Sequence, residues 1–416
     1  MSATPAPSPP QETRFARVLV VVGIVALAFN LRPAAVSVGP VLDEIIAGLG
    51  MSAVEAGLLT SLPVLAFALF GALAPRLARL VGVHRLTTLA LVGVVVGLWL
   101  RSRADDPLVF LALSLLALAG MATANVLLPS LVKLHFPDRI GLMTSVYSTA
   151  LAIGLTSASV FTVPISEAYD GWRSGLAAWA LLAAVAVIPW LGLLRHDRPA
   201  DLETTEGRIG LGDVARTRLG WLMALFFGLQ SLQAYAIFGW FAEVYRDAGF
   251  SAHTAGLLLG VITGISIPLS FAIPALAARM ENQSPLMWGV MACYPVGYLG
   301  LILAPRQGAW LWALVVGVGI CTFPLILTLI GLRARTAAGT AALSGFTQST
   351  GYLISAVGPF GIGLLHDVTG GWTVPLIALI AVSVPQLMLG LAVSHPSYLE
   401  DELPSHGDTE PAVRRR

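Results

Sequence analysis

A guanidinium stands where a membrane-crossing segment ought to stay apolar. The run "VLVVVGIVALAF", Val18 to Phe29, continues into Asn30, Arg32 and Pro33. An arginine at the centre of a bilayer costs about 2.5–3.5 kcal/mol on insertion scales. Two readings of Arg32 are open. It holds carbonyls freed by Pro33, or reaches outward along its own stem, as a structural clamp. Or it faces a central cavity and offers two parallel donors to an anionic or electron-rich solute. Asn30 lies two residues away, roughly 200° round a helix, where it suits a hydrogen bond between helices. Other polar residues recur inside apolar runs at helical spacing. Gln230 and Gln233 stand at i, i+3; Ser344, Gln348 and Tyr352 at i, i+4, i+8; Asn125 is alone, and Thr144, Tyr147 and Ser148 lie together. Each is either glue between helices or the wall of a wet cavity. As a set they suit a neutral, hydrogen-bonding cavity holding one fixed positive charge. The candidate substrate contacts are therefore Asn30, Arg32, Asn125, Tyr147, Gln230, Gln233, Gln348 and Tyr352.

This is the chemistry of binding rather than of bond breaking. All twenty-three acidic residues fall in tails, loops or helix ends, Asp43, Glu44, Glu55, Glu243 and Asp247 among them. Proton-coupled carriers usually place a carboxylate near the midplane, so coupling through one is not expected here. The seven histidines are scattered without ligand spacing, and no glycine-rich phosphate loop is present. No metal, cofactor or catalytic group is expected. Cys293 and Cys321 fall inside apolar segments and read as small buried residues.

The elements that must position these residues are set by the solvent. Hydrophobic residues make up 56% and charged residues 11% of 416, against about 25% charged in a soluble domain. Apolar runs bounded by charge, Pro or Gly predict twelve membrane-spanning helices. The first six cover 17–46, 52–74, 84–101, 107–132, 139–163 and 172–194. The second six cover 218–245, 252–277, 285–304, 308–333, 339–365 and 372–394. The Pro- and Ser-rich start predicts a disordered tail over 1–16. Arg14, Arg17 and "ALA" at 26–28 resemble a signal peptide, but the segment also fits as the first part of a repeat. With both ends in the cytoplasm, eighteen of twenty-four basic residues fall inside and five outside, Arg32 lying between. That bias sets the orientation.

The halves repeat. "SAVEAGLL" (52–59) matches "SAHTAGLL" (251–258) at an offset of 199, which also carries Glu44 onto Glu243, Gly50 onto Gly249 and Pro75 onto Pro274. "DGWRSGLAAW" (170–179) meets "GGWTVPLIAL" (370–379) at an offset of 200. A repeat of six helices runs the same way through the membrane twice, the arrangement of the major facilitator fold. The expected layout is an N-terminal bundle (17–194), a linker (195–217), a C-terminal bundle (218–394) and a cytoplasmic tail (395–416).

"NLRPAAVSVGPVLDEI", "GALAPRLARLVG" and "ALSGFTQSTGYLISAVGPFGIGLLHDVTGGW" together resemble the cyanate and 2-nitroimidazole porters (CynX/NimT type) of the major facilitator superfamily, over about residues 15 to 394. The loop after the second helix is similar to the superfamily signature at Gly71, Arg76, Gly82 and Arg85, while Pro75 stands where an acidic residue is usual. The resemblance implies a secondary transporter of small anionic or polar heteroaromatic solutes, working by alternating access as a monomer in a bacterial inner membrane. Its partners are a small molecule and the bilayer, with no nucleic acid. A drug-efflux carrier of the same fold is the alternative; for cations it should carry a mid-membrane carboxylate and a more aromatic cavity. An intramembrane enzyme, more distant, would need clustered His, Asp or Ser at one depth.

Overall fold

The computed structural model describes residues 14–169, 171–194 and 209–403. The expected tail before residue 14, linker residues 195–208 and everything beyond 403 lie outside the described residues. Twelve helices cross the membrane in order. Before the linker come α1 (Arg14–Leu31), α2 (Ala53–Val81), α3 (Val83–Arg101), α4 (Pro107–His135), α5 (Ile140–Ala168) and α6 (Trp172–Leu193). After it comes α7 (Arg218–Asp247), followed by four helices each interrupted once. These are α8 (Ala252–Gly264, Ser266–Ala277), α9 (Ser284–Met291, Cys293–Leu303), α10 (Ala309–Ile320, Thr322–Leu332) and α11 (Ala337–Ser355, Val357–Thr369). The unbroken α12 (Thr373–Ser394) closes the series. No strand forms among the described residues.

Eleven of these stretches are long and apolar enough to span a bilayer by themselves. The twelfth, α11, carries Ser344, Thr347, Gln348 and Ser349, none more than 6% exposed. Packing against protein rather than lipid accounts for its place. Several expected limits differ from those observed by three to five residues, and two differ by more. α2 was expected to stop at 74 but runs to Val81 with Pro63 and Pro75 inside it, ending at Gly82 (φ 98°). α1 was expected to continue to 46 but stops at Leu31, resuming as short helices Pro33–Val36 and Leu42–Leu49.

The interruptions follow one rule. A proline lacks the N–H that would bond the carbonyl four residues back, and its ring crowds that carbonyl. The breaks at Ile265, Ala292, Cys321 and Ala356 each fall three residues before a proline: Pro268, Pro295, Pro324 and Pro359. Prolines 63, 129, 164 and 189 instead ride inside continuous helices. The sequence repeat is also a repeat of caps. Ser52 accepts from the Glu55 N–H at 3.3 Å, and Ser251 from the Thr254 N–H at 3.2 Å. The Glu55 carboxylate accepts in return from the Ser52 N–H at 2.7 Å. Gly50 and Gly249 both take positive φ (64° and 90°), as do Gly171 and Gly370 (89° and 68°), each pair 199 residues apart.

The halves meet at the end of the bundle that carries residues 209–217, called here the linker side. A methyl added at Gly141 of α5 would come within 2.1 Å of Ala278 Cβ, just past α8, and one at Gly345 of α11 within 2.5 Å of Pro75 in α2. Between α4 and α11, Ser344 Oγ donates to the Val126 carbonyl at 2.8 Å and Ser130 Oγ to that of Ala337 at 3.0 Å. The segment after α12 folds onto the same side as a short 3-10 helix, Leu399–Glu402. There Glu400 accepts from the N–H groups of Arg335 and Thr336 at 2.9 and 3.0 Å, and Glu402 from that of Leu219 at 3.0 Å. Two helix starts, those of α11 and α7, thus receive carboxylates where the helix dipole favours negative charge.

Candidate functional site

Away from the linker side the halves part around a cavity of about 720 Å³, lined by both. The first half contributes the broken stretch after α1 (Arg32, Ala35, Val36), α2 (Pro63, Phe67) and α5 from Ser148 to Val160. The second half contributes α7 (Ser231, Tyr235), α8 (Thr263, Ser266, Ser270), the break in α10 (Phe323, Pro324) and Tyr352 of α11. Among the described residues, Arg32 is the one charged residue of this lining.

Pro33 explains why Arg32 can reach in. Arg32 has helical dihedrals (φ −81°, ψ −39°) but sits between two helices rather than within one. It is half-buried. Its guanidinium lies over the Phe323 ring, 5.3 Å from the centroid, a cation–π contact across the two halves. Tyr235 and Tyr352 line the same cavity. Tyr352 packs against Phe67 with the rings tilted by 34° (4.2 Å between centroids) and meets Tyr235 at 6.3 Å. One cation therefore sits in an aromatic frame.

The hydroxyls of the lining divide by what their hydrogens do. Thr156, Ser159, Thr263 and Ser266 donate to backbone carbonyls of their own helices, leaving lone pairs. Ser148 Oγ is buried without a partner. The donors left in the described lining are Arg32, Ser148, Ser231, Ser270 and the two tyrosines, and they favour a ligand rich in acceptors.

The other expected residues lie elsewhere. Asn30 donates to the Ala26 carbonyl of its own helix at 2.9 Å and leaves its oxygen unpartnered. The expected bond between helices is not formed, because a backbone carbonyl one turn back is the nearer acceptor. Asn125 donates to Gln348 Oε1 at 2.6 Å, and Gln348 donates to Ser344 Oγ at 2.8 Å, so this pair ties α4 to α11. Tyr147 is 1% exposed with its hydroxyl unpartnered. Gln230 bonds Tyr294 at 3.0 Å and Gln386 at 2.7 Å, while Gln233 bonds Tyr298 at 2.7 Å. These amides face the interior of the second half, among α7, α9 and α12. Of the eight candidates, Arg32 and Tyr352 line the cavity.

The sequence reading missed Phe67, Tyr235 and Phe323, and with them the aromatic character of the cavity. On α7 the amides Gln230 and Gln233 drew attention to one face, whereas Ser231, Ala234, Tyr235 and Phe238 line the wall. Their i, i+3, i+4, i+7 spacing was a signal, but apolar residues surround it on every side.

Two repeated six-helix halves closed over one another at one end, with a cavity between them, are the architecture of a membrane transporter rather than an enzyme. The family model of the Major Facilitator Superfamily matches residues 18–359. The chain is 34% identical to the 2-nitroimidazole transporter of Escherichia coli (strain K12), over 90% of its own length and 95% of that protein's. It is 29% identical to the cyanate transport protein CynX of the same organism, over 84% and 90%. Among solved structures it is similar to the transporter FucP in an outward conformation, with a TM-score of 0.74 at 14% identity, over 92% of this chain and 100% of that one. The protein belongs to the major facilitator superfamily, in its cyanate and 2-nitroimidazole porter branch.

Proposed function

We propose that this protein is a secondary carrier for a small anion or a planar, acceptor-rich heteroaromatic solute, moved across a bacterial inner membrane by alternating access. The observation that carries the reading is Arg32, the one charge lining the cavity among the described residues, framed by Phe323, Tyr235 and Tyr352. A guanidinium stays protonated and binds a planar group through two donors, while the rings hold its apolar faces. The named substrates of the two relatives, cyanate and a nitroimidazole, have that chemistry. With both termini cytoplasmic, as the basic bias indicates, the linker side is inside and the cavity faces outward. Each chain forms a complete cavity between its halves, which supports a functional monomer. The aromatic lining gives the efflux alternative one point in its favour, but a positive charge in the wall repels cationic drugs.

The test is binding and stability on one preparation. Arg32→Ala should abolish binding of labelled cyanate and 2-nitroimidazole in purified protein, with the melting temperature unchanged or raised because a buried charge is gone. Arg32→Lys keeps the charge and loses the fork, so affinity should fall further than stability. Affinity retained in Arg32→Ala together with a marked loss of stability would make Arg32 a structural clamp and move the site elsewhere.

A further inference from the structure

A second guanidinium stands behind the broken first helix. Arg101, the last residue of α3, is 1% exposed, among the largest side chains buried so fully. Its Nη1 donates to the Ala34 carbonyl at 3.2 Å and its Nη2 to Ser37 Oγ at 3.1 Å. Both acceptors lie just past the Pro33 break, and both residues are fully buried. In a continued helix the Ala34 carbonyl would accept from the Val38 N–H; here the short helix ends at Val36, and Arg101 takes its place. The Nε has no partner, and no carboxylate pairs with Arg101 among the described residues.

The far side of Arg101 is anchored too. Arg173, at the start of α6, donates to the Ala104 carbonyl and to Asp105 Oδ1, each at 2.7 Å. The turn that follows Arg101 is thus pinned to α6, and Arg101 carries that rigidity to the stretch that holds Arg32, Ala35 and Val36 at the cavity wall. A buried charge without a counter-ion is a poor device for stability alone, since apolar residues of similar volume are often neutral or better.

We propose that Arg101 is a positioning residue of the substrate site: it fixes the short helix Pro33–Val36 and the turn at Ser37 so that Arg32 is presented to the cavity at a set depth and angle. The inference rests on the reading of Arg32 as a substrate contact. It assigns Arg101 no contact with the substrate.

The test uses the full-length protein in proteoliposomes, with labelled cyanate and 2-nitroimidazole as probes. Arg101→Gln should raise KM about tenfold, as loss of charge-assisted hydrogen bonds does, with Vmax within about threefold. Arg101→Lys reaches one acceptor and should fall between. On a background of Cys293→Ser and Cys321→Ala, the variant Ala35→Cys should change its rate of labelling by an anionic thiol reagent at least threefold when Arg101→Gln is added. Unchanged KM and labelling with a lowered melting temperature would overturn the proposal and leave Arg101 a structural residue. Should Arg101→Gln not fold, Arg101→Lys decides: a raised KM supports positioning and an unchanged one ends it. If Arg32→Ala keeps its affinity, the site itself is misread; if Arg32→Ala loses affinity and Arg101→Gln keeps it, this inference alone falls.

Discussion

Asn125 and Gln348 meet across the two halves at 2.6 Å, fully inside the protein. Any movement that opens the linker side must part them, so their bond weights the closed state. Gln348→Leu leaves the Asn125 amide unpaired, which costs about 1–3 kcal/mol for a buried polar group. Spin labels at the exposed Arg139 and Arg279, on the linker-side ends of α5 and α8, should then report a longer-distance population absent from the parent. Asn125→Leu with Gln348→Leu removes both partners and should restore much of the short distance. No change in either variant would mean that the pair is indifferent to the conformational equilibrium. The amides were visible in the sequence as polar residues in apolar runs. Their partners were not, because a polar side chain in a membrane helix marks a need for a partner without naming the direction.

At the scale of helices, tight glycine contacts fall into two kinds. A methyl at Gly120 of α4 would come within 2.2 Å of the Ala90 carbonyl of α3, inside one half; a methyl at Gly141 would strike Ala278, between the halves. Gly120→Ala should therefore lower the yield of folded protein, while Gly141→Ala should fold normally and populate the state with the linker side open. Size-exclusion profiles and the same spin-label distances separate the outcomes; equal loss of folded protein in both would erase the distinction. The helices themselves were readable because apolar run length answers to bilayer thickness, and the 199-residue offset survives in the caps at Ser52 and Ser251. The breaks were less readable. Pro268 interrupts its helix while Pro129 does not, and the proline alone does not say which. The cavity face of α7 was hidden for a related reason: with apolar neighbours all round, hydropathy does not distinguish lipid from core, and Gln230 and Gln233 pointed to the core.

On the proposed alternating-access reading, the whole molecule must present from either side in turn a cavity whose described lining carries one charge, Arg32. If the proposed substrate is a monovalent anion, the loaded site is neutral when it closes. Empty, it must enclose an unpaired guanidinium, and effective penalties for a buried ion run to several kcal/mol. Each 1.4 kcal/mol is a factor of about ten. Exchange of labelled cyanate against unlabelled cyanate should thus outrun net efflux into cyanate-free buffer at least tenfold. Arg32→Gln, with no charge to enclose, loses the basis of that difference in whatever flux it retains. Equal rates of exchange and net efflux in the parent would show that the empty carrier returns without penalty.

The carboxylates that cap α7 and α11 set a schedule for biosynthesis. Glu402 bonds the N–H of Leu219 across 183 residues of chain. At about 5–20 residues per second, the ribosome takes roughly ten to forty seconds to make that stretch. Through that interval α7 is already made, with Thr217 on the Gly220 N–H at 3.0 Å and its Leu219 N–H left to water or lipid headgroups. The second half is therefore latched late, by residues translated after its last membrane helix.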